Sequence, residues 1–191
     1  MAHIFLNILL ITGLFSQTNN WYKKFINTIN HQEGVFISII IHQKQFESTL
    51  IDTGFIEIKG KNKYILELQN ETVFINDDII KTWNKIDNQL IIDKKIKGEI
   101  SIFDLLTGEF KDISLGKATL IGEYVKLDFR IQSMEYEGSI LMYNSGRPKE
   151  ININYGYGQS AMLTVDDFKI GKLTLYDDFN PTNVEIIDIR E

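Results

Sequence analysis

The sequence predicts a mainly β protein in one domain, an antiparallel meander of about ten or eleven short strands with one N-terminal and one central α-helix. Three observations carry that prediction. Isoleucine and other β-branched residues occur throughout, and they favour a pleated, half-buried surface. Only two prolines occur, Pro148 and Pro181, so long ladders keep their N–H donors. Apolar residues alternate with polar ones in short segments set apart by turn residues, and helical spacing interrupts this pattern only near the N-terminus and once in the middle. Such spacing fits either a barrel or a strongly curved sheet.

Taken in order, Ile4 to Phe15 is an apolar run of about the length of a signal-peptide core, too short to span a bilayer. Small or polar residues follow from Ser16 to Asn20, so residues 1–17 read as a signal peptide cleaved after Ser16 or Thr18, and 18–191 as one domain. The alternative is a buried N-terminal helix or strand. From Asn20 to Asn30, Trp21, Phe25, Ile26 and Ile29 share one helical face. After Gly34 come strands over Val35–His42, Thr49–Lys59 with a bulge expected at Gly54, Tyr64–Gln69, Thr72–Asn76, Ile79–Trp83 and from Asn88 to Ile92. Asp77-Asp78 is the hairpin turn between the fourth and fifth. Glu99 to Gly108 places Ile102, Phe103, Leu105 and Leu106 at helical spacing, with Gly108 as its C-cap. Strands resume with Lys126–Gln132, where Leu127, Phe129 and Ile131 alternate with polar residues. Ser139–Tyr143, Glu150–Tyr155, Ala161–Val165 and Val184–Ile189 complete the series.

Composition excludes several functions. The formal net charge is −6 over 191 residues, with no basic run, which argues against a nucleic-acid partner. The absence of cysteine removes disulfides, thiol chemistry, cysteine zinc sites and a lipid anchor on cysteine. His31 and His42 do not pair with another histidine at ligand spacing, and Asp166-Asp167 and Asp177-Asp178 lack an EF-hand series, so no metal and no cofactor are expected. Two motifs invite a sharper reading. Asp52-Thr53-Gly54, preceded by Leu50-Ile51, matches the core of aspartic proteases that assemble as dimers, but Phe55 is far larger than the residue that packs there. Gly156-Tyr157-Gly158-Gln159-Ser160-Ala161 fits a dinucleotide fingerprint, yet the strand-like Met162–Val165 follows where a helix is needed, so a hairpin loop is preferred.

The order of elements, with its local sequences, resembles the periplasmic outer-membrane lipoprotein carrier family (LolA-like). The carrying segments are Gly34-Val35-Phe36, Thr53 to Lys59, Val73 to Asn84, Ser101 to Gly108 and, best, Phe179-Asn180-Pro181-Thr182-Asn183-Val184-Glu185-Ile186-Ile187-Asp188. The resemblance implies an unclosed, half β-barrel with the two helices over its concave side. It implies a non-enzymatic periplasmic chaperone that carries acylated lipoproteins from an inner-membrane lipoprotein-releasing ABC exporter to an outer-membrane receptor, working as a monomer. The family's arginine after the glycine strand, which locks a helical lid, has no counterpart here. Lys61 or Lys63 would be the substitute, without the planar fork of arginine.

On that reading the acyl-chain cavity is lined by Tyr64, Leu66 and Leu68, by Leu127, Phe129 and Ile131, and by Ile151, Ile153 and Tyr155. Phe25, Ile29, Phe103 and Leu106 supply the helix side. The alternative, a cell-envelope interaction module of the same fold, has these residues as a filled core. The two differ energetically: a wall residue such as Phe129 is expected to lose less than about 2 kcal/mol on truncation, whereas Ile186, taken as ordinary core, is expected to lose about 2–5 kcal/mol.

Overall fold

The structure, a computed structural model, describes residues 18–95, 102–107, 112–171 and 173–190. Helix α1 (18–29) precedes β1 (Val35–Gln45), β2 (Ser48–Gly60), β3 (Lys63–Leu68), β4 (Glu71–Asn76), β5 (Ile79–Asn84) and β6 (Gln89–Lys94). Helix α2 (Ile102–Thr107) leads to β7 (Ile113–Ile121), β8 (Tyr124–Ile131), β9 (Tyr136–Tyr143), β10 (Pro148–Gly156) and β11 (Gln159–Ile170). The short helix α3 (Leu175–Asp178) and β12 (Glu185–Asp188) end the series.

All twelve strands form one sheet, ordered β12-β6-β5-β4-β3-β2-β1-β11-β10-β9-β8-β7. It ends in two separate edges, β12 and β7, so it is unclosed. Two hairpin meanders, β1 to β6 and β7 to β11, are joined where β1 pairs with β11, from Val35↔Ile170 to Gln45↔Gln159. Local sequence explains the turns. Asp77, between β4 and β5, holds φ 57°, a left-handed conformation that aspartate tolerates.

Strand alternation divides the sheet into two faces. On β1, Val35, Ile37, Ile39 and Ile41 are buried and the residues between them are less so. Their face meets its partners on β2, β3, β8, β9, β10 and β11, and with Phe25 and Ile29 of α1 and Leu106 of α2 forms the main core. The opposite face carries a small second cluster of Ile65, Leu173 and Tyr176, where Phe74 stacks on Phe179 at 4.9 Å. There the buried Glu57 accepts hydrogen bonds from the backbone N–H groups of Thr174 (3.2 Å) and Tyr176 (2.9 Å), anchoring α3 to β2.

Four differences from the sequence expectation have physical causes. Strand β7 was absent from the expected series, because a register shift between Leu115 and Ala118 breaks its alternation. Strand β12 pairs with β6 in parallel, from Glu185↔Gln89 to Asp188↔Ile92, in an otherwise antiparallel sheet. Its Ile186 is 62% exposed at that edge, so it is not a core residue. Finally, Gly54 makes no bulge, since β2 runs in unbroken register with β1. A Cβ there would lie 2.1 Å from the Glu67 carbonyl oxygen, so the close approach of β3 is what requires glycine. The signal segment and the Gly108 cap lie outside the described residues.

Candidate functional site

The inner face is built row by row. Leu127, Ile140, Ile151, Leu163 and Ile41 lie side by side across β8, β9, β10, β11 and β1. The next row is Phe129, Gly138, Ile153, Ala161 and Gln43. Its two small residues make room for the Phe129 ring: a Cβ on Gly138 would lie 2.4 Å from Phe129 Cζ and 2.2 Å from the Asn152 carbonyl oxygen. On the other meander, Ile37, Ile56, Leu66 and Val73 form one row, and Ile58, Tyr64 and Ile75 another.

Every residue expected from the sequence to line a cavity belongs to this one cluster. Tyr64, Leu66, Leu127, Phe129, Ile131, Ile151 and Ile153 are buried on the strands, and Phe25, Ile29 and Leu106 on the helices. Leu68, Phe103 and Tyr155 are half-buried against them. Phe103 of α2 faces the Tyr64 ring at 6.5 Å, and Tyr136 meets Tyr155 edge to face at 5.0 Å. Phe129 is 4% exposed, and Phe25, Ile29, Leu106, Leu127 and Ile131 are fully covered, so the helices lie flush on the sheet. One end of the inner face lies beside the β1–β2 and β10–β11 turns. There a depression of about 270 Å³ is bounded by Gln43, Gln45, Tyr136, Tyr155, Gln159 and Ala161.

Polar ties hold the helices down. Asp104 of α2, nearly buried, is paired with Lys95 at 2.5 Å. Asn30 Nδ2 donates to the Thr107 carbonyl at 3.1 Å, linking the end of α1 to α2. Burial, then the nearby Tyr136 and Asp104, pushes the Tyr155 phenol up to about 12, and burial does the same to Tyr22. The cation beside α2 is therefore Lys95. Lys63 faces Asp77 at 3.6 Å, and Lys61 is exposed. No local pattern marks Lys95, which stands nine residues before its partner.

The other motifs fall elsewhere. Asp52 and Thr53 sit in unbroken strand, opposite Ile41 and Ile40, and not in the turn an aspartic protease needs. Tyr157 and Gly158 form the hairpin turn between β10 and β11. A wider groove of about 920 Å³ crosses the outer face, with His42, Lys126, Asp128, Glu137, Asn152 and Asn154 among its lining residues.

No protein-family model matches the sequence, and no curated protein matches it. Among solved structures, the chain is similar to an uncharacterized conserved protein from Thermus thermophilus, at 16% identity and a TM-score of 0.57, over 91% of this chain and 98% of that one. It is also similar to a LolA superfamily protein from Nitrosomonas europaea, at 10% identity and a TM-score of 0.46, over 83% and 96% of the two chains. A DUF1329 family protein from Desulfovibrio piger matches at 7% identity and a TM-score of 0.49, over 85% and 97%. At these identities the likeness concerns fold alone, and the Thermus thermophilus protein is the one that supports it.

Proposed function

We propose that this chain is a periplasmic chaperone for lipoproteins, holding their acyl chains between the inner face of the sheet and helices α1 and α2. One observation carries the reading: a single apolar face spans both meanders of an unclosed sheet, with α1 and α2 the helices that pack on it among the described residues. Each methylene withdrawn from water gains about 0.8 kcal/mol, so one sixteen-carbon chain is worth roughly 12 kcal/mol. Full burial of the cargo would make release slow. The packed core supplies the counterweight, since a chain enters only by lifting a helix and breaking its contacts. The residues in play are those of the cluster, from Phe25 and Ile29 through Tyr64, Phe103 and Phe129 to Tyr155.

The apolar run from Ile4 to Phe15 supports export. Of the two expected cuts, the one after Ser16 retains Thr18, whose hydroxyl accepts a hydrogen bond from the Ala118 N–H at 3.2 Å. The carrier would take cargo from an inner-membrane ABC exporter and deliver it to an outer-membrane receptor, as a monomer and without chemistry on the cargo. The test is to purify the mature protein from its native envelope and identify what is bound. A copurifying lipoprotein, together with saturable displacement of an apolar fluorescent probe by a long-chain fatty acid, is the expected result. A second reading, an envelope interaction module with a permanently filled core, is favoured by the complete burial of Ile29, Leu106, Leu127 and Ile131. Absence of saturable acyl binding decides for it.

A further inference from the structure

Strand β2 is longer than its neighbour β3. Pairing with β3 begins at Gly54↔Leu68, while pairing with β1 runs back to Gln45↔Ser48. Residues Ser48 to Thr53 thus form an open edge inside the sheet, with no strand beside them among the described residues. Every second residue of such an edge turns its N–H and C=O outward. Of the usual protections this stretch has one, the charge of Asp52 opposite Ile41, but it holds no proline, no lysine and no register shift. Instead Leu50 and Ile51 are 56% and 58% exposed, and Phe46 in the adjoining turn is 57% exposed.

The position matters as much as the edge. Leu50 lies opposite Gln43, which borders the depression of about 270 Å³ at that end of the inner face. We propose that this edge receives an extended polypeptide segment of the cargo, added to the sheet as a strand beside β2 while its acyl chains lodge beneath the lifted helices. The partner's chemistry follows from the edge: only another extended backbone offers donors and acceptors at strand spacing. Ile51 between Thr49 and Thr53 favours β-branched or apolar residues on one side of that segment. Asp52, on the other side, favours a basic or hydroxyl residue opposite it. The proposal rests on the carrier reading for its acyl half and on the open edge alone for its peptide half.

The test uses the full mature chain and three probes: palmitate, a ten-residue Thr/Val/Lys peptide without proline, and the same peptide palmitoylated at its N-terminus. Hydrogen exchange at residues 48–53 and the dissociation constant are read for each. The palmitoylated peptide is expected to slow exchange at 48–53 and to bind at least about tenfold tighter than palmitate, because the second contact becomes intramolecular. Ile51→Lys, which leaves an exposed side chain exposed, is expected to erase that advantage and leave palmitate binding unchanged. Equal affinity for the two acyl probes, with exchange at 48–53 unaltered, overturns the proposal. So does protection that grows with protein concentration alone, alongside a dimer in sedimentation, since the edge would then serve a second copy of the chain. Protection by either peptide without any palmitate binding supports the edge site and sinks the carrier reading instead.

Discussion

Phe129 and Gly138 face one another across β8 and β9, and the space for the ring exists because its partner has no side chain. Gly138→Ala is expected to destabilise by about 1–3 kcal/mol or more, since the new methyl meets both the ring and the Asn152 carbonyl. The packing also revises the expectation for Phe129 itself. With the ring 4% exposed, Phe129→Ala should cost the ligand-free protein about 3–5 kcal/mol, the price of ordinary core, and weaken acyl binding as well. Ile186→Ala, at a 62% exposed position, should change stability by no more than about 0.5 kcal/mol. Ile37, fully buried, is the proper comparison and should lose about 2–5 kcal/mol as alanine. Denaturant melts of these four variants decide the stabilities, and displacement of an apolar probe by a fatty acid decides the binding of Phe129→Ala. The tyrosines add a pH dependence. Tyr155 and Tyr22 ionise at about 12 against an ordinary 10.0, so the folded state holds these protons more tightly. Their contribution is intact below pH 10.0 and fades as pH rises toward 12. Ultraviolet titration should show a late phenolic step that shrinks in Tyr155→Phe.

At the scale of elements, strands with a clean period were legible and the others were not. Leu127, Phe129 and Ile131 declare their shared face in the sequence, and β8 holds all three inward. β7 hides because its shift at Leu115/Ala118 changes phase midway, and α3 because four residues carry no helical period. The apolar members of the candidate site were readable for the same reason β8 was. The ties across α2 were not, because Lys95–Asp104 joins residues nine apart in sequence, at a spacing that no helical or strand period marks. Asp104→Ala should loosen that helix: exchange at 102–107 should quicken and an apolar probe should load faster than in the parent protein. Unchanged loading would place the rate-limiting opening at α1. On the outer face, Glu57→Ala strands the N–H groups of Thr174 and Tyr176, at about 1–3 kcal/mol, with faster exchange confined to 173–179.

The whole molecule has a seam. β1 pairs with β2 on one side and with β11 on the other, and Val35 meets Ile170 from the far end of the chain. Contacts so distant in sequence slow folding, because a long loop must close before they reward it. The two meanders are each local, and only β1–β11 makes them one sheet. For a chain made from its N-terminus onward, the strand richest in isoleucine is finished first and waits for its second partner until β11 is made. Until residue 170 is available, Ile37, Ile39, Ile40 and Ile41 sit on a bare edge suited to pairing with any extended neighbour. The chain thus begins its existence with a sticky seam of its own, one that stays open until translation is nearly done.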